Sequence, residues 1–280
     1  MKVVITGGLG FIGRAIAERL RANGHTVTAV SLRTPPSAEA FAGCGAVVNL
    51  SGEPVAQRWT AAAKERIMNS RVQGTRTLVA ALRQHPPAAL ISASAIGYYG
   101  SRGAEILTEE SPPGSGFLGQ VAVAWEQEAR AAEEFGVRVV TPRIGVVLGR
   151  GGGALPQIAL PFRFGVGGRL GDGKQWTSWI HLDDLISLVE FSIATSTLRG
   201  AVNAVAPNPV TNAEFTRELA AALHRPAILP VPTLALKILL GEMSQAILAS
   251  QRVIPQAALR AGFQFRFTEV GEALRHIFAA

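Results

Sequence analysis

Cysteine is almost absent: Cys44 is the only one in 280 residues, which excludes an internal disulfide or a cysteine-based metal cluster and suits a reducing compartment. Charge is sparse as well. Only 17% of residues are Asp, Glu, Lys or Arg, against roughly 25% in an ordinary globular chain, as expected when central strands are covered on both faces. The net charge is +7, yet no stretch concentrates Lys and Arg among aromatics, so no nucleic-acid partner is expected. The longest apolar stretch, Pro230 to Ala249, is broken by Pro232, Lys237, Gly241 and Glu242. It is too polar to span a membrane and reads as a packed helix, so no membrane partner is expected either. The opening MKVVITGG lacks the apolar core and cleavage site of a signal peptide, which leads to an expectation of a cytoplasmic location. Metal-ligand spacings, an HExxH and a nucleophile elbow are all missing, and no metal is expected.

What is present is a 48% hydrophobic composition in which short β-branched runs alternate with longer helical patterns. KVVIT, TVTAVS, AVVNLS, ALISAS and VRVVT read as strands; helices are expected from about Phe11 to Ala22, through Leu82 and through Glu134. Such alternation implies right-handed crossovers and a parallel sheet. The expected fold is α/β, a Rossmann-type doubly wound parallel sheet with a smaller, mostly helical C-terminal lobe. Residues 1–150 form the nucleotide-binding unit, with about 176–206 returning to it, and residues 151–280 the substrate lobe. The glycine-rich segment Gly145 to Gly173 reads as a loop region over a cleft. Asp183 and Asp184 read as a helix start, as do Thr211 and Asn212.

VVITGGLGFIG places Gly7, Gly10 and Gly13 three apart between a strand and a helix. The first glycine permits a tight turn, the second the approach of a pyrophosphate, and the third close helix–strand packing; the helix N-terminus of Phe11, Ile12 and Gly13 supplies N–H groups and positive dipole. The second strand ends in Ser31, Leu32 and Arg33, with no carboxylate to hold a ribose 2′-hydroxyl. A guanidinium there suits a 2′-phosphate, so NADP(H) is expected in preference to NAD(H).

These strings, together with NLSGEP (49–54), RWTAAAKERIMNSRVQGT (58–75), SASAIGYYG (92–100), PRIGVVLGRGGGALP (142–156), GKQWTSWIHLDD (173–184) and AGFQF (261–265), resemble the extended short-chain dehydrogenase/reductase superfamily. The nearest likeness is its "epimerase family" group, related to nucleotide-sugar epimerases, and it spans essentially the whole chain. The resemblance implies that Leu50, Ser51 and Gly52 lie under the adenosine and ribose half of the cofactor. It further implies that Ser92, Ala93 and Ser94 lie near the nicotinamide and that Pro142 to Gly145 border its carboxamide. Relatives often dimerise through their long helices, so a homodimer is an expectation of the same kind.

The resemblance also exposes a gap. Most of the superfamily moves a proton with a tyrosine and a lysine four residues on, whereas here Phe117 and Val121 occupy those positions. Ser94 and Tyr98 are then the candidate catalytic groups, and Tyr98 and Tyr99 are the only tyrosines. Tyr99, Arg143, Trp176 and His181 are candidates for binding a small-molecule substrate: Arg143 by pairing with an anion, Trp176 by stacking, and His181 as a polar group whose more ordinary role is a hydrogen bond to backbone or to Asp184. Trp179 stacks or fills the core. Glu53 is a further candidate acid, with a loop hydrogen bond as its ordinary role. An epimerase-like oxidoreductase acting on a nucleotide-linked sugar or other small polar carbonyl or hydroxyl compound is the first reading; a catalytically silent NADPH-binding regulator is the alternative.

Overall fold

A computed structural model describes residues 1–227 and 229–279. Six strands form the main sheet: β1 Lys2–Thr6, β2 Thr26–Val30, β3 Cys44–Asn49, β4 Ala89–Ser92, β5 Arg138–Ile144 and β6 Gly200–Ala204. All pair in parallel, in the order β6-β5-β4-β3-β1-β2, and the short strand Ser94–Ala95 extends the pairing along β5. The strand order reverses between β1 and β3, where an open α/β sheet leaves a crevice at its carboxyl edge.

Period-two alternation explains why these runs became central strands. Val3 and Ile5 of β1, Ala46 and Val48 of β3, and Ala89 and Ile91 of β4 share one buried cluster with helices α1 (Phe11–Ala22) and α5 (Leu182–Ala194). The intervening Val4, Val47 and Leu90 face the opposite layer, formed by α2 (Ala61–Leu82) and α3 (Phe117–Arg130). With both faces covered, most positions of the central strands are apolar, which accounts for the low charge content.

The C-terminal lobe has its own core, built from α4 (Leu155–Arg163), α6 (Asn212–Leu223) and α9 (Val270–Ala279) around Phe162, Phe215, Leu219 and Leu274. Thr211 and Glu214 form a capping box at the start of α6. Two expectations need correction here. The glycine-rich segment is not one loop, since it contains the strand Val146–Leu148 and α4. Pro230 to Ala249 is not one packed helix: α7 (Thr233–Leu240) ends at Gly241, whose φ is +59°, and a new short helix, α8, spans Ser244–Ile247. No side chain of α7 is buried, and Leu234, Ile238 and Leu239 are exposed. An apolar run without a polar face gave the appearance of a core helix; the glycine breaks it.

Candidate functional site

The glycine turn follows β1 directly. Gly7 adopts φ +71°, and a Cβ there would lie 2.7 Å from the Leu50 backbone, so only glycine fits. A Cβ on Gly13 would run into the Gly7 carbonyl oxygen. Gly10 differs. Its φ of −73° and ψ of 170° are ordinary extended backbone, it is exposed, and it caps α1 without any side-chain hydrogen bond. The first N–H groups of α1 therefore point outward uncapped, with no acidic residue in the first turn to oppose an anion. Phe11 lies under the turn of Gly149, Gly152 and Gly153, where a Cβ on Gly149 would come within 2.8 Å of its ring; Ile12 is half-buried. Arg33, beyond the edge strand β2, is exposed, and among the described residues its side chain has no hydrogen bond or ion pair; only its backbone N–H is engaged, donating to Ser31 Oγ at 3.2 Å.

At the end of β3, Leu50 and Ser51 are half-buried and Gly52 is exposed. Arg71 was not expected here. It reaches from α2 so that a Cβ on Gly52 would sit 3.0 Å from its guanidinium carbon. It donates through Nη1 to the carbonyls of Glu53 (2.9 Å) and Ile67 (3.3 Å) and lies 5.1 Å from the Trp125 ring. Burial pushes its pKa down to about 10, against the opposing charge of Glu53. The spacing from Gly52 to Arg71 carries no motif that would have announced this contact.

Several expected lining residues instead hold the sheet together. Ser92 is fully buried; its Oγ accepts from Asn49 Nδ2 (3.0 Å), which also donates to Thr75 Oγ1 (3.0 Å), while Thr6 Oγ1 donates to Asn49 Oδ1 (2.6 Å). Ala93 and Pro142 are buried as well, and Gly145 is wedged so that a Cβ would lie 2.7 Å from the Ser178 carbonyl oxygen.

Four of the candidate catalytic and substrate residues, Ser94, Tyr98, Tyr99 and Arg143, meet around the buried carboxylate of Glu126. Ser94 Oγ donates to Glu126 Oε1 at 2.7 Å. Arg143 grips the same carboxylate with Nε (2.8 Å) and Nη2 (2.9 Å), and its Nη1 donates to Tyr99 Oη (2.9 Å) and the Glu109 carbonyl (3.2 Å). Tyr99 Oη donates to Asn203 Oδ1 at 2.6 Å. Burial opposes the charge of Arg143, but Glu126 and Tyr99 outweigh it and raise its pKa; burial lifts Tyr99 to about 12. Tyr99 and Arg143 are therefore corrected: both are buried and fully engaged, which leaves neither open to a substrate. Tyr98 is half-buried, and the Arg143 guanidinium lies 3.4 Å from its ring centroid, a cation that no local spacing revealed.

Trp176 is half-buried beneath the Arg252 guanidinium at 4.2 Å, whereas Trp179 is buried and donates to the Asn208 carbonyl (3.1 Å). His181 caps α5: its Nδ1 accepts from Asp183 N (3.1 Å), which leaves Nε2 carrying the proton, buried and without a partner among the described residues. Asp184, expected at the helix start, accepts from the N–H groups of Arg266 and Phe267 (2.8 and 2.9 Å). Burial, with His276 and Arg266 nearby and Asp183 opposing, lowers the His181 pKa to about 4 from 6.5. The unfolded chain thus binds this proton more tightly. Stability is complete above about pH 6.5 and falls toward pH 4, on the order of 2 kcal/mol. Urea unfolding at pH 7 and pH 5 should show this loss, and His181→Asn should flatten it; an equal slope in the variant removes His181 as the cause.

Comparisons with known proteins bear on this arrangement. Residues 3–204 match the profile of the NAD dependent epimerase/dehydratase family, and residues 231–277 match a domain of unknown function, DUF1731. The chain is 39% identical over 301 residues to the chloroplastic epimerase family protein SDR39U1 homolog of Arabidopsis thaliana, covering 99% of this chain and 86% of that protein. A crystal structure of human epimerase family protein SDR39U1 with NADPH superposes with a TM-score of 0.91 at 36% identity, covering 100% of this chain and 99% of that one. A nucleoside-diphosphate sugar epimerase from Corynebacterium glutamicum superposes with a TM-score of 0.83 at 35% identity, covering 99% of this chain but 58% of that one. Among the described residues no helix is long and apolar enough to cross a membrane.

Proposed function

Because the chain belongs to the NAD dependent epimerase/dehydratase family, we propose that it is an NADP(H)-dependent oxidoreductase or epimerase of the extended short-chain dehydrogenase/reductase type. Its substrate on this reading is a nucleotide-linked sugar or another small polar carbonyl or hydroxyl compound. One observation carries the reading: an uncapped helix N-terminus behind an open Gly10, with an exposed Arg33 beyond β2 whose side chain has no partner among the described residues. The N–H groups of Phe11, Ile12 and Gly13 would hold the pyrophosphate, Arg33 the 2′-phosphate, and Leu50, Ser51 and Gly52 the ribose side. The NADPH in the human relative and the sugar-nucleotide name of the bacterial one support this choice. When bound, the nicotinamide supplies or accepts hydride. Ser94, whose one proton goes to Glu126, presents only lone pairs and would accept from a substrate hydroxyl; Tyr98 is a nearby proton-bearing group.

A catalytically silent NADPH-binding regulator is the second reading, favoured by the burial of Val121 and by the commitment of Ser94 and Arg143 to Glu126. Calorimetric titration with NADPH and NADH, followed by a panel of carbonyl compounds, separates the two. Turnover supports the enzyme, binding alone the regulator, and no binding removes both. For Arg33→Ala, NADPH affinity should fall about 10- to 100-fold with NADH affinity unchanged, the worth of a lost charge-assisted phosphate contact; equal losses for both would show that Arg33 does not meet the 2′-phosphate.

A further inference from the structure

Lys64 stands in the first turn of α2, where Thr60 caps the helix by accepting from Ala63 N at 3.2 Å. A cation there opposes the helix dipole, so helix stability does not explain it. Nor does its ion pair: Nζ lies 2.7 Å from Glu242 in the turn after α7, but the partners are 32% and 54% exposed, and such pairs contribute about 0–1 kcal/mol.

Its surroundings give it a place in the site. Lys64 Nζ is 5.8 Å from the Phe117 ring centroid, and Phe117 packs edge-on to Trp59 at 5.3 Å. The next residue, Leu118, touches the turn that carries Tyr98: a Cβ on Gly97 would lie 3.0 Å from Leu118 Cβ. Leu118 and Phe117 thus lie between the turn that carries Tyr98 and the ammonium of Lys64. Phe117 contributes no hydroxyl and buried Val121 no charge. Lys64 is half-buried, its side chain is held among the described residues only by the partly exposed Glu242, and it supplies the ammonium beside Phe117.

We propose that Lys64 is the cationic proton donor of the site and that Glu242 holds it when no substrate is bound. The proposal rests on the oxidoreductase reading above. In a reduction, the carbonyl carbon accepts the hydride with its electron pair while the C=O π pair moves onto oxygen. Lys64 Nζ gives that oxygen a proton, becomes a neutral amine, and recovers a proton from water. The positive end of α2 and the ammonium act together on the developing oxyanion. Glu242, carried on the segment after the unburied α7, is displaced by the substrate oxygen.

Acetylation of surface amines, read peptide by peptide by mass spectrometry, tests the placement without needing a substrate. Saturating NADPH should lower labelling of Lys64 severalfold while Lys2, Lys174 and Lys237 remain as references, and Glu242→Gln should raise Lys64 labelling in the cofactor-free protein. Equal Lys64 labelling with and without NADPH, in protein that calorimetry shows to bind it, overturns the proposal. Lys64→Met should bind NADPH within about twofold of wild type and lose at least about 100-fold in turnover of whichever carbonyl compound the wild type reduces, the usual contribution of a general acid. Reduction by wild type and by Lys64→Met alike removes Lys64 alone. Failure of the wild type to bind NADPH or to reduce any compound removes the underlying reading, and the proposal with it.

Discussion

Gly10→Val is expected to weaken NADPH binding by at least about 100-fold, close to 3 kcal/mol, while the protein stays folded. At φ −73° and ψ 170° a β-branched residue is unstrained, and the new Cβ meets only the Gly7 carbonyl oxygen at 3.3 Å. The added methyls occupy the space through which a pyrophosphate must approach the α1 N–H groups. Gly13→Val should behave differently, because its Cβ lies 2.8 Å from Gly8 Cα and overlaps the Gly7 carbonyl oxygen, so the turn itself must move and stability should fall with binding. Calorimetry and thermal unfolding on both variants check the pair. Undiminished affinity in folded Gly10→Val would place the cofactor elsewhere.

Glu126→Ala is expected to destabilise the protein by about 3–5 kcal/mol, because it strands the buried Arg143 guanidinium and the Ser94 hydroxyl without their acceptor. At roughly 2–4 °C per kcal/mol for a chain of this size, the midpoint should drop by about 10 °C. Glu126→Gln keeps one acceptor oxygen and should cost less, and Glu126→Leu with Arg143→Met should cost less than the sum of the two single changes, since no lone charge is left. Thermal unfolding of the five proteins, Glu126→Ala, Glu126→Gln, Glu126→Leu, Arg143→Met and the double variant, measures this. A loss below about 1 kcal/mol for Glu126→Ala would mean that water reaches the cluster and replaces the carboxylate.

The residues that misled local reading share a cause. Arg143 and Ser92 near the carboxyl ends of strands, where ligands bind, and Tyr99 in the turn after one are each satisfied by a partner elsewhere in the chain: Glu126, Asn49 and Asn203. A polar side chain at a sheet edge can line a cleft or tie strands together, and the choice depends on what tertiary packing puts opposite it. His181 shows the same ambiguity, since beside two aspartates it looks like an acid–base group, but its ring nitrogen takes the capping role that either aspartate could have filled. Lys64 and Arg71 were passed over for the converse reason: both sit in an ordinary amphipathic helix, and only the packing of α2 against the ends of β3 and α3 gives them a location near the edge.

By itself the sequence determined the local features: the alternation that makes strands buried on both faces, the glycine turn joining β1 to α1, the lack of a carboxylate after β2, and the loss of the tyrosine and lysine from α3. Each depends on residue type and short spacing, through pleat geometry, positive φ and side-chain chemistry. Only the tertiary structure decided which polar groups face the cleft and which are spent within the fold, because burial and charge pairing are set by residues 32 and 17 positions apart, as in Ser94–Glu126 and Arg143–Glu126. No local pattern encodes such a meeting; it exists once the sheet has brought the two segments together.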